Sequence, residues 1–198
     1  MSQEPKGTLY YVDGSPFARL IRVLVREWTY PTTEVKLPFP LPDDFFDLSP
    51  LGQVPVLRTK EKVLFPTAAI ASHLSEATGQ KPYDTQLLAA LLSWADSLVA
   101  AFYQEWAGLV PVPKKNALGF DPATCNLERV GPFLDWVAQR IDPKTPGAPE
   151  FALGCILNWV DSRRPIDCKH PEVITELIRR LGDRASFQET VPAPWSAD

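Results

Sequence analysis

A proline set against a valine at the head of an apolar run, Val54-Pro55-Val56-Leu57, restricts this chain more than any other feature. Proline has no N–H for a sheet ladder, so the run suits a sheet edge or a cis turn better than a central strand. A cis peptide there turns the Val54 N–H and C=O outward, where an extended, peptide-like ligand can pair with them as another strand would. Upstream, Ser15-Pro16-Phe17-Ala18-Arg19 opens a helix: Ser15 offers a hydroxyl N-cap and Pro16 a pre-set first position. Downstream, Phe65-Pro66-Thr67-Ala68-Ala69-Ile70 opens another. If the three segments converge, they make a pocket of two helix N-termini and one open strand edge, suited to an anionic peptide.

The pattern around these segments is that of a small mixed sheet with helices. Residues 8–12 read as a buried strand, and Phe17, Leu20, Ile21, Leu24 and Trp28 recur at the helical period until Tyr30-Pro31. Residues 33–37 form a second strand. After a proline-broken loop, 54–58 and 63–65 flank Lys60-Glu61-Lys62 like a hairpin. The stripe Ile70, Leu74 and Ala77 then stops at Gly79, giving the order βαβ, then ββα. Beyond Pro82 every pattern is helical: 84–107, a long and heavily buried helix, then 126–141, 150–162 and 172–181, separated by proline-rich turns. An α/β domain over 1–80 and an all-helical domain over 84–198 are expected.

Composition removes several function classes. The net charge of −4, with no Lys/Arg cluster, argues against a nucleic-acid partner. Cys125, Cys155 and Cys168 form no C-x-x-C and cannot all pair internally, which fits a reducing compartment. The N-terminus lacks a signal-peptide core and no apolar run approaches bilayer length, so a cytoplasmic protein without a membrane partner is expected. His73 and His170 stand alone, without metal-ligand spacing. Arg163-Arg164 at a helix end complement the helix dipole, and an anionic substrate could use them.

Four motifs in order resemble the glutathione S-transferase superfamily over nearly the whole chain. Ser15-Pro16-Phe17-Ala18-Arg19 looks like its S-P-F-x-R start, and Ser49-Pro50-Leu51-Gly52-Gln53-Val54-Pro55-Val56-Leu57 is similar to N-P-x-G-K-V-P-x-L. Leu64 to Ile70 stands where the family has L-x-[DE]-S-x-A-I, and Gly147 to Leu153 is similar to the S-x-A-D-x-A-L capping motif. The resemblance implies a thioredoxin-like N-terminal domain, an all-α C-terminal domain and a homodimer. It implies glutathione as co-substrate, without metal, bound by Phe17, Arg19, Gln53, Val54 and Thr67. Ser15 would be the catalytic residue, stabilising the thiolate. Phe102, Tyr103 and Trp106 would line the pocket of a small apolar electrophile.

Two departures bear on affinity. Gln53 replaces a common lysine, and Pro66 replaces the acid that binds the γ-glutamyl group. A lost charge-assisted hydrogen bond is worth roughly 1.5–3 kcal/mol. The resemblance therefore leaves open a conjugating transferase, a glutathione-dependent isomerase or lyase, and a non-catalytic binding protein with a degraded site.

Overall fold

Leu9 lies at the centre of a four-stranded sheet whose order is β2-β1-β3-β4, formed by β1 (Gly7–Tyr11), β2 (Thr32–Lys36), β3 (Val56–Thr59) and β4 (Val63–Leu64). The structure, a computed structural model, describes residues 4–106, 122–163 and 169–193. β1 and β2 are parallel, pairing Leu9 with Glu34, and so require a crossover. Helix α1 (Pro16–Glu27) supplies it. β3 runs antiparallel to both β1 and β4. With α2 (Thr67–Thr78) this is the thioredoxin-like arrangement expected.

Of the two placements open to Pro55, a sheet edge or a cis turn, the structure has the cis turn and not the edge. β3 is an inner strand, with Leu57 paired to Leu9 on one side and Leu64 on the other. The ladder tolerates Pro55 because the proline precedes the strand, in a turn whose Val54-Pro55 peptide is cis.

Helix α1 is buried on most of its surface: Ala18, Leu20, Ile21, Val23, Leu24 and Val25 are all core residues. α2 buries Ile70, Ala71 and Leu74 and ends at Gly79 in the left-handed conformation. Ala77, expected on its apolar stripe, is exposed.

The remaining described elements are helical: α3 (Thr85–Trp106), α4 (Pro122–Ala138), α5 (Ala148–Arg163), α6 (Glu172–Gly182) and α7 (Ala185–Gln188). α5 lies at the centre of this half, buried along nearly its whole length and packed on both α1 and α3. Gly154 permits the close approach of α6 and α7, because a Cβ there would stand 2.4 Å from Leu181 Cδ1 and 3.1 Å from the Phe187 ring.

α3 differs from expectation in two ways. Its stretch Thr85–Tyr103 is long and apolar enough, by length and composition, to cross a bilayer, because alanine and leucine dominate and Asp96 is its one charge. Under a third of that stretch is buried, so α3 is not the heavily buried helix its leucines imply. Leu87, Leu88, Leu91, Ala95 and Leu98 face the core, and the other side is open.

Candidate functional site

Where the N-terminal turns of α1 and α2 meet the turn before β3, they enclose a cavity of about 610 Å³ closed on its far side by α3 and α5. That volume lies in the range of small-ligand sites. Ser15, Pro16 and Phe17 come from α1, Gly52 to Pro55 from the turn, and Pro66 to Ala68 from α2. Phe102 and Tyr103 from α3 and Trp159 and Arg163 from α5 face them.

Each near-wall group has a local cause. Ser15 caps α1, its Oγ accepting a hydrogen bond from the Ala18 N–H at 3.2 Å. One oxygen lone pair is thereby used, and the hydroxyl proton is left to donate. Pro16 lacks an N–H and the Ala18 and Arg19 amides are taken, so Phe17 carries the open amide of this turn.

Ser49, fully buried, fixes the next wall. Its Oγ donates to the Gln53 carbonyl and accepts from the Gln53 N–H, both at 3.0 Å. Gly52 turns the chain with a φ of +61°, and a Cβ there would meet the Phe46 ring at 2.7 Å. Held this way, the Val54 N–H and C=O make no hydrogen bond among the described residues. At the third wall, Ala69 and Ile70 donate to the Pro66 carbonyl, leaving the Thr67 and Ala68 amides open. Thr67 is buried against the cavity, and its hydroxyl makes no hydrogen bond among the described residues.

The expected residues Ser15, Phe17, Gln53, Val54, Thr67, Phe102 and Tyr103 all line this cavity. Arg19 does not. It points from α1 into the helical half, where its guanidinium donates to Asn158 Oδ1 at 3.1 Å, the Phe187 carbonyl at 3.1 Å and Thr190 Oγ1 at 3.4 Å. Its role in ligand binding is withdrawn, since a buried cation with these acceptors has no reach to the cavity. The Trp106 side chain lies outside the described residues.

Among the described residues, three charged side chains line the cavity: Asp13, Asp96 and Arg163. The Asp13 carboxyl is opposed by burial but held below its usual value by Lys36, 3.1 Å away, and the Ala193 N–H. Asp96, at the exposed edge of α3, is raised by partial burial alone. Arg163 has a lowered pKa, chiefly through burial, opposed by Tyr103 and Asp13. Neither Asp96 nor Trp159 stands out in the sequence, where each reads as one more residue on a helix.

Two domains meeting at such a cavity have relatives. Residues 9–82 match the family model described as glutathione S-transferase, N-terminal domain. A glutathione S-transferase from Methylobacillus flagellatus, solved with GSH bound, has a TM-score of 0.75 at 22% identity, over 94% of this chain and 100% of that one. Residues 9–82 form a glutathione S-transferase N-terminal domain, and the chain as a whole has the fold of the solved glutathione S-transferases.

A second structure of the superfamily, from Methylobacterium radiotolerans in complex with glutathione sulfonate, has a TM-score of 0.74 at 19% identity and covers 96% of each chain. A theta class enzyme from Xanthomonas axonopodis pv. citri, with glutathione bound, has a TM-score of 0.65 at 20% identity, over 95% of this chain and 98% of that one. A search of curated proteins gives no match.

Proposed function

We propose that this protein is a serine-type glutathione transferase that conjugates the glutathione thiol to a small electrophile. The observation that carries the reading is the Val54 backbone, unpaired among the described residues and set between two helix N-terminal turns. Val54 pairs with the cysteinyl part of the tripeptide, as one strand pairs with another. The open Thr67 and Ala68 amides and the Thr67 hydroxyl take the γ-glutamyl carboxylate, helped by the α2 dipole. Gln53 hydrogen-bonds the other carboxylate.

Ser15 donates its hydroxyl proton to the sulfur, and the Phe17 amide adds a second dipole. Lowering a thiol from about 8.5 towards 7 requires about 2 kcal/mol, which one hydrogen bond and a helix terminus supply. The thiolate then attacks an electrophilic carbon held among Phe39, Phe102 and Trp159.

Pro66 offers neither a carboxylate nor an N–H to the glutamyl ammonium. Asp96 lines the same cavity and serves as that acid in this reading. A homodimer and a cytoplasmic location belong to the same proposal. The experiment is calorimetric titration with glutathione, followed by turnover of a chlorodinitrobenzene. Absence of binding at millimolar glutathione removes the enzyme reading and leaves the second one, a binding protein whose ligand site has degraded, which the Pro66 and Gln53 departures favour.

A further inference from the structure

Among the described residues Arg19 is the one buried base, 8% exposed, and no acid accompanies it there. Its guanidinium donates to three neutral oxygens, on Asn158, Thr190 and the Phe187 backbone, and lies over the Phe187 ring, 5.2 Å from the centroid. The other arginines of α1 differ: Arg22 pairs with Glu34, and Arg26 with Glu34 and Glu189. A buried arginine ordinarily has a carboxylate beside it, because neutral acceptors satisfy its protons but leave its charge uncancelled. Burial opposes that charge, Cys155 of α5 is the titratable group that would favour it, and Arg22 repels it. Cys155 is pushed up to about 12, so near neutrality it is an uncharged thiol and cancels nothing.

This charge stands one helical turn behind Ser15. The Arg19 amide donates to the Ser15 carbonyl at 2.9 Å, closing the first turn of α1. Residues four apart on a helix have Cβ atoms about 6 Å from each other on one face. From that face Ser15 enters the cavity and Arg19 enters the helical half. The helix N-terminus already favours an anion at Ser15. A charge in the interior, little screened by water or salt, reaches further than one on the surface. Other ionisable groups packed on α1 are engaged locally: Glu27 with Arg184 at α7, and His73 of α2 with Tyr30, past the end of α1. Asp13, Asp96, Tyr103 and Arg163 face the cavity itself.

We infer that Arg19 is a positioning residue that acts on the bound thiol from a distance, its uncancelled charge favouring the thiolate that Ser15 holds. The inference rests on the proposed transferase reading and adds a third group to the hydroxyl and the helix terminus. The thiol proton passes to solvent, and Arg19 neither gives nor takes one. Its distance from the ligand is part of the device, because an arginine that cannot reach the sulfur cannot compete with the electrophile for it.

Three variants of the whole protein change the charge in different ways. Arg19→Gln removes it, and Arg19→Lys keeps it without the planar fork. Asn158→Asp leaves the guanidinium in place and sets a carboxylate against it, at the oxygen it already reaches at 3.1 Å. Ionisation of bound glutathione is followed across pH by the ultraviolet absorbance of the thiolate. S-methylglutathione, which has no thiol, is titrated by calorimetry as the control. The cavity groups Asp13, Asp96, Tyr103 and Arg163 are the same in all four proteins, so they cancel in the comparison.

The bound thiol pKa is expected to rise by about one unit, a tenfold loss of thiolate near neutrality, in Arg19→Gln and in Asn158→Asp. It should hold in Arg19→Lys, and S-methylglutathione should bind all four proteins alike. Asn158→Asp is isosteric and gives Arg19 a partner, so it decides the matter even where Arg19→Gln fails to fold. An unshifted thiol in Asn158→Asp overturns the inference. An equal rise in Arg19→Lys and Arg19→Gln also overturns it, tracing the effect to lost hydrogen bonds and a displaced α1. Absence of glutathione binding in the wild type removes the transferase reading and this inference with it. Normal binding and turnover with an unshifted thiol remove the inference alone.

Discussion

Ser15 carries two duties on one oxygen, and they can be separated. As an N-cap it accepts from the Ala18 amide, and as the proposed catalytic group it donates to sulfur. Ser15→Ala removes both. The cap loss lowers stability by about 1 kcal/mol, and loss of the donor raises the apparent thiol pKa in the pH profile of kcat/KM by roughly one unit, or 1.4 kcal/mol. Ser15→Asp, which keeps the cap but cannot donate at neutral pH, should restore stability and not activity. Restored activity would remove the hydrogen bond from the mechanism.

Asp96 makes the second prediction at this scale. Asp96→Asn should weaken glutathione about tenfold while leaving an analogue without the free amine unaffected, as read by calorimetry. Equal affinities for wild type and Asn would assign the ammonium elsewhere. Ser15 and Val54 were legible in the sequence because capping and proline rules act over a few residues. Arg19 was not, because the partners that claim it stand 139 to 171 residues away. Cys155 shows the same limit: its full burial, which pushes the thiol up to about 12 and leaves it unreactive, has no local mark.

Elements were legible wherever a period or a cap defined them. α1, α2 and α3 lie within a residue or two of the expected ranges, and Gly79 ends α2 as its position implies. Strand placement was harder to read, since Pro55 reports only that its own N–H is missing. Whether β3 has one neighbour or two depends on β1 and β4, which the proline cannot encode. The start of α5 shows a cap working through charge instead of a hydroxyl. Gly147 has no side chain to offer, and Glu150 reaches back: Oε2 accepts the Gly147 amide at 2.9 Å and Oε1 the Asp142 amide at 3.2 Å. Glu150 is itself buried, so Glu150→Ala strands two backbone donors at the entry of the central helix. A loss of about 2–3 kcal/mol is expected in urea unfolding, with Glu150→Gln recovering part of it. An unchanged midpoint in Glu150→Ala would show that α5 is held by its apolar packing alone.

At the scale of the molecule, the cavity exists only while the sheet half and the helical half stay docked, and one charged cluster fastens them far from the ligand. Glu27, the last residue of α1, receives hydrogen bonds from both nitrogens of the Arg184 fork and from the Ser186 hydroxyl. Burial pushes the Glu27 carboxyl up, but these hydrogen bonds and the Arg184 charge outweigh it and hold the group below its ordinary 4.5. A carboxyl that is more acidic when folded contributes stability above its unfolded pKa and loses it as the pH falls through the folded value. The clamp should therefore act fully near neutrality and fade below about pH 4. Glu34, bonded to Arg22 and Arg26 inside the N-terminal half, is lowered in the same direction, so an acid transition alone does not identify the clamp. The variant isolates it. Glu27→Gln should reduce stability by about 1–2 kcal/mol at pH 7, scaled down because Arg184 is partly exposed, and the gap to wild type should narrow steadily as the pH falls through the acid range. Denaturant midpoints of the two proteins over a series of pH values from neutral downward decide it. A gap that does not change with pH would mean that Glu27 acts through its shape and packing, and that the two halves are held together without its charge.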